Sequence, residues 1–343
     1  MKTITFIGLD ISGPPRGKKV LDWCFIGSHV QAQHSQCANE TKAIVKHLKL
    51  LFKSYQLDEN TVICAEYTGH YIHPIVQACH QLSARLWLES GAEIKASTGV
   101  IRGKDDKIDA RRIAQYAHRF SDKMRLFTST GENIEHISLL QREREMYVTD
   151  RAKYRSQLSD MKGFIPEKLY RQRAKRLSKL IKELDALIQG LEKQIEHLIK
   201  KDNKLARQYE IATSITGVGK QTAIETIIAT KGFTKFDNAR QFCCHIGTAP
   251  FNYASGSSIR KGRHVSQKAD KKLKSVFHMA ALSAIAAKGE FQEYFQRKVA
   301  AGKNKMSVVN AIRSKLVHRI FALIRDNRLY SKEYENSYTA ALA

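Results

Sequence analysis

The stretch Lys104 to Arg112, Lys-Asp-Asp-Lys-Ile-Asp-Ala-Arg-Arg, sets Asp106 and Asp109 three residues apart. On a helix that spacing puts both carboxylates on one face. Ile108, Ile113, Ala114 and Ala117 supply the helical apolar pattern, and Asp105 or Asp106 can cap its first turn. Like charges so placed repel unless a cation lies between them, and a hard divalent ion with oxygen ligands meets that need. A cap followed by a solvated surface acid would read the same way. Two more acids, Asp10 and Glu66, end apolar runs at 3–9 and 61–65. A carboxylate at the tip of a buried strand is costly unless paired or metal-bound.

A second chemical stretch runs from Tyr253 to His264. Ser255, Ser257 and Ser258 lead into Arg260, Lys261 and Arg263, and Lys268, Lys271, Lys272 and Lys274 continue the basic patch. A serine hydroxyl is a poor nucleophile unless a base, metal or cation assists its ionisation. The spacing alone reads as a phosphate-contacting loop. Upstream, Ile-Thr-Gly-Val-Gly-Lys places Gly217, Gly219 and Lys220 between two helical patterns. That is a helix-hairpin-helix-like turn, whose second helix can offer free N–H groups to a phosphate. It would read backbone, not sequence. The spacing of a nucleotide P-loop is absent.

The elements that must position these residues are an α/β segment followed by helices. Period-2 or compact apolar runs predict strands over 3–9, 20–27, 29–37, 61–65 and 84–88, and helices over 40–55, 71–82 and from Asp106. From about 132 the chain turns basic, with thirteen Lys/Arg against five Asp/Glu between Arg142 and Lys182. Leu177, Leu180, Leu184, Leu187, Leu191 and Leu198 then alternate by three and four beside Ile181, Ile188 and Ile195. This predicts a coiled-coil seam or long helical hairpin, with some self-association. Helices follow over 273–287 and 308–327. The expected organisation is an α/β domain at 1–125, a basic helical region at 126–205, a mainly helical domain at 206–330 and a tail at 331–343.

The chain has 343 residues and a formal charge of +25, which implies a polyanionic partner, nucleic acid before all others. No apolar run is long enough to span a bilayer, and the N-terminus enters a strand pattern directly, so neither membrane nor signal segment is expected. The six cysteines form no zinc spacing and read as apolar thiols in a reducing compartment. His70 and His73 read as ordinary polar residues.

The order strand, strand, strand, helix, strand, helix, strand, helix, with acids at Asp10, Glu66, Asp106 and Asp109, resembles the RNase H-like nucleases of the RuvC, junction-resolving branch. In that fold the first and fourth strands are neighbours, so the four acids would share one cluster suited to two Mg²⁺ ions. With Ala65-Glu66-Tyr67-Thr68-Gly69, the glycine turn at 217–219 and Ser255-Gly256-Ser257-Ser258-Ile259-Arg260, nearly the whole chain resembles the DEDD transposases. These are insertion-sequence recombinases of family one-hundred-and-ten, related to the Piv invertase. The resemblance implies a RuvC-like domain, a coiled-coil middle and a C-terminal transposase domain. It implies Mg²⁺ on Asp10, Glu66, Asp106 and Asp109, and Ser255 as a nucleophile forming a phosphoserine link to DNA. It further implies donor and target double-stranded DNA, a structured noncoding bridge RNA as guide, and a site shared between protomers of a dimer or synaptic tetramer. The protein would be cytoplasmic and nucleoid-associated.

Two positions depart from the family pattern. Gly13-Pro14-Pro15 interrupts the turn after Asp10, and Ala254 stands where Glu often precedes the serine, leaving His264 as a weak candidate base. Two rivals remain in play: a metal-only endonuclease or junction resolvase in which water attacks, and a nonenzymatic nucleic-acid-binding protein.

Overall fold

The computed structural model describes residues 4–11, 20–27, 30–99, 105–127, 131–255, 259–266 and 268–331, with backbone alone at 27, 30–32, 252–255 and 259–264. Gly13-Pro14-Pro15, Lys104, Ser257, Ser258 and residues 332–343 lie outside it. The chain forms two compact units, Met1–Ser129 and Thr130–Ala343.

In the first unit, β1 (Thr5–Ile11), β2 (Val20–Gly27) and β3 (Val30–Ala38) form an antiparallel meander. Helix α1 (Thr41–Ser54) leads to β4 (Thr61–Glu66), α2 (His73–Leu82) to β5 (Arg85–Glu89), and the short α3 (Gly91–Ser97) precedes α4 (Asp106–Arg119). The strand order is β3-β2-β1-β4-β5, with β4 and β5 parallel to β1. This mixed sheet is the arrangement expected of an RNase H-like domain. The strand and helix expectations differ from it by a residue or two at most ends; α3 has no counterpart among them.

Side chains alternate across the sheet. Ile7, Leu9 and Ile11 pack with Ile44 and Leu48 of α1 and Ile75 of α2. The opposite face carries Phe6, Val62, Cys64 and Trp87 against Ile113, Tyr116 and Ala117 of α4. Between them sits Gly8. A Cβ there would lie 2.2 Å from the Ala110 carbonyl oxygen and 2.3 Å from the Ala114 nitrogen. Strand and helix backbones therefore touch, which only glycine on the strand and small residues on the helix allow.

The second unit opens with α5 (Glu132–Met161) and α6 (Glu167–Lys201), two long helices packed antiparallel. Arg144–Glu192 and Arg151–Asp185 ion pairs, at 2.7 and 2.6 Å, set the register. The buried stripe on α6 is Ile181, Leu184, Ile188, Leu191, Ile195 and Ile199. Leu187, expected in the seam, is 49% exposed, because the hairpin partner lies over the isoleucines one position along. The lower stripe merges with Leu205 of α7 (Asn203–Ser214) and Ile224 and Ile227 of α8 (Lys220–Thr230). The expected boundary at 205/206 therefore separates no compact body: hairpin and helical domain share a core.

Helix α9 (Ala239–His245), the hairpin of β6 (Pro250–Ser255) and β7 (Ile259–Val265), and α10 (Lys271–Ala286), α11 (Glu290–Ala300) and α12 (Lys305–Arg325) complete the unit. Its core is built on Phe242, Phe277, Ile312, Leu316 and Ile320. The turn joining α7 to α8 carries Gly217 at φ +90°, where a Cβ would meet Ala284 of α10 at 2.5 Å.

Replacing Gly8 with alanine forces α4 off the sheet. We expect Gly8→Ala to lower the stability of the first unit by about 3 kcal/mol, the upper range for overpacking, read from its urea transition.

Candidate active site

The alternation that sends Phe6 and Gly8 toward α4 also sends Asp10 there, one residue before the end of β1. Its antiparallel partner is Asp22 of β2. The parallel register Leu9–Ala65 brings Glu66, the last residue of β4, to the same edge, and Glu66 pairs in turn with Glu89 of β5. Contact at Gly8 lays the first turn of α4 over this edge, with Asp106 and Asp109 in that turn. Asp105 is the N-cap, its carboxylate accepting from the Lys107 N–H at 3.1 Å.

The electrostatics record the gathering of acids. Burial, then the charges of Asp106, Asp109, Asp22 and Glu66, push the Asp10 carboxyl up to about 7. The three other expected acids thus act on Asp10, and a fifth, Asp22, joins them. Asp22 is buried, with Oδ1 held at 2.7 Å by both His34 Nε2 and the Gln36 amide. Sequence reasoning missed it: its side chain points to α4 only because of its register with Asp10, which no letter in 20–27 announces.

Glu66 is held from below. A Cβ on Gly91 would stand 1.9 Å from Glu66 Oε1, so the start of α3 must be bare for the carboxylate to lie where it does. Asp109 is engaged as well, accepting from Arg112 at 2.7 Å. Ile108, expected in the apolar stripe, is 42% exposed beside these acids.

The comparisons with known proteins agree with this geometry. Residues 7–161 match the family model of DEDD transposases of the IS110 type, described as "Transposase". Residues 209–296 match the one described as "Transposase IS116/IS110/IS902 family". These two stretches are similar to transposase domains of that family. The chain is similar to the "Pilin gene-inverting protein" of Moraxella bovis, 27% identical over 334 residues, 96% of this chain and 98% of that protein. The protein of the same name from Moraxella lacunata matches at the same identity and coverage. A third relative, "Insertion element IS110 uncharacterized 43.6 kDa protein" of Streptomyces coelicolor, is 28% identical over 120 residues, 35% of this chain and 29% of that protein. Together these make the chain a DNA transposase or recombinase.

DEDD transposase domains imply divalent metal, typically Mg²⁺. The donors suit a hard cation, being carboxylates whose mutual repulsion already raises Asp10. Among the described residues, however, no three His, Cys, Asp or Glu side chains converge on one point as metal ligands do.

The expected nucleic-acid contacts divide. Gly217 is a packing glycine, pressed on α10; Gly219 is the N-cap of α8 with open space before it. Lys220 is engaged by Glu196 at 2.7 Å, and Lys268 and Lys271 are exposed. Arg260, Lys261 and Arg263 lie on β7, where backbone alone is described. Lys272 is exposed but engaged: its Nζ bonds Glu145 and, at 2.8 Å, the buried Glu225, which also accepts from Gln141 at 2.7 Å. The sequence pattern placed it in a basic run, but two carboxylates from α5 and α8 claim it. Among the described residues no helix is long and apolar enough to cross a membrane.

Two outcomes follow. Without metal, an acid protonated in the fold near pH 7 but not when unfolded loses its stabilising contribution as pH rises from 3.8 to about 7. In EDTA, Asp10→Asn should therefore be more stable than wild type at pH 8 but equal to it at pH 4. We expect about 2 kcal/mol after screening, read from urea denaturation, with Mg²⁺ narrowing the gap. Lys272→Met should destabilise the second unit by about 3 kcal/mol by stranding Glu225. Adding Glu225→Gln should recover part of the loss, and the salt slope of DNA binding should be unchanged.

Proposed function

We propose that the protein is an RNA-guided, Mg²⁺-dependent recombinase of an insertion sequence, cutting and joining DNA through a serine link. The observation that carries the metal-dependent part is the coupling of Asp10 to Asp106, Asp109 and Glu66 on one sheet face. These four would hold Mg²⁺, which when bound supplies Lewis-acid stabilisation to the phosphodiester oxygens under attack. Gly91 and Gly8 position Glu66 and α4, and Asp22 adds negative charge beside Asp10.

Ser255 is the nucleophile in this reading. It ends β6 opposite Ile259, at the turn of a hairpin whose return strand carries Arg260, Lys261 and Arg263. That placement supports a serine beside phosphate-binding cations. The Ser255 oxygen forms a bond to the scissile phosphorus as the strand's own phosphorus–oxygen bond breaks, and the released end leaves as a hydroxyl. The N–H groups opening α8 at Gly219 hold a backbone phosphate. The charge of +25 suits two nucleic acids at once, and an oligomer would bring carboxylates from one protomer to the serine of another.

The test is to express wild type, Ser255→Ala and Asp109→Ala with the element's native flanks and look for DNA retained on denatured protein. An adduct in wild type alone is the expected result, together with co-purifying flank transcript whose ribonuclease digestion ends recombination. Cleavage surviving in Ser255→Ala with no adduct would make water the nucleophile. Recombination unaffected by ribonuclease would remove the guide.

A further inference from the structure

The distal part of the α5–α6 hairpin has no core of its own. On α5 the buried residues are Ile137, Leu140 and Gln141, and on α6 burial begins only at Ile181. The intervening arm includes the first fourteen residues of α6, roughly 20 Å of helix. Along this arm the facing residues, such as Tyr154, Leu158, Leu177 and Leu180, are only half-buried, and helices with so little burial are weakly held in water, so an arm of this kind suits a partner.

At its end the chain turns through Gly163, at φ +83°, and presents Phe164 with 86% of its surface exposed. Leu169, 56% exposed, lies one turn into α6. Cations surround this aromatic tip. Arg151 and Arg155 are taken by Asp185, and Arg171 by Glu167. Lys162, Lys168, Lys175 and Arg176 form no ion pair among the described residues.

We propose that this tip is a nucleic-acid contact, in which Phe164 stacks on a base exposed at a distorted step of the DNA while the neighbouring cations hold phosphates. Charge decides the occupant. Between Arg142 and Lys182 the arm has thirteen Lys/Arg against five Asp/Glu, so a second copy's tip would meet it with the same sign. A polyanion with planar rings answers both features, since aromatic side chains stack on any base and apolar wedges insert at kinked steps. The inference rests on the DNA activity of the family and is independent of Ser255 and of a guide.

The test uses the full-length protein in EDTA, with a bulged DNA duplex carrying 2-aminopurine at the unpaired position. Phe164→Ala should weaken binding about tenfold and abolish the fluorescence change, with Phe164→Trp restoring both. Lys162→Gln with Lys168→Gln should lower the salt slope by about two. Circular dichroism should match wild type, because Phe164 touches no core. Unchanged affinity and fluorescence in Phe164→Ala would overturn the proposal. So would loss of self-association in sedimentation with DNA binding intact, which would make the tip a contact between copies.

Discussion

The backbone contact between β1 and α4 at Gly8 is the constraint on which the site depends. Helices ordinarily ride on a sheet at side-chain distance; here the missing Cβ of Gly8 and the small Ala110 and Ala114 let the two backbones touch. The crossing point then determines which turn of α4 overhangs the strand ends. That turn carries Asp106 and Asp109, Asp10 lies one residue before the end of β1, and Glu66 ends β4. A larger residue at position 8 would move the acids without altering any of them.

Bringing acids together is unfavourable, and the fold compensates unevenly. Asp22 is satisfied by His34 and Gln36, and Asp109 by Arg112. Asp10 has no such partner among the described residues, and burial with the neighbouring charges pushes its carboxyl up to about 7. A divalent ion would relieve the repulsion.

The second unit handles charge differently. On the α5–α6 arm Lys162, Lys168, Lys175 and Arg176 form no ion pair among the described residues, while at the surface of α10 Lys272 reaches Glu145 and the buried Glu225. One lysine ties the hairpin, α8 and α10 into a single body. A buried carboxylate and its cation are costly to separate, so this contact defines a rigid base beneath a solvated arm.

Most element types of the first unit were legible in the sequence alone, because periods of two and 3.6 follow from local backbone geometry, whereas the stretch read as a loop from Tyr253 folds as the β6–β7 hairpin. The sequence also singled out four acids and a glycine turn, whose residue types are tied to their chemistry. What it could not determine was depth and register. Asp22 entered the site through strand pairing with Asp10, Leu187 left the seam because its neighbour Ile188 took the inward position, and the exposed Lys272 is engaged by the buried Glu225. Gly8 and Gly91 look in the sequence like any glycines; only the approach of the α4 backbone makes a Cβ at Gly8 impossible, and a Cβ at Gly91 would displace the Glu66 carboxylate. These outcomes depend on which residues meet across the fold, and that is set by packing between segments far apart in the chain.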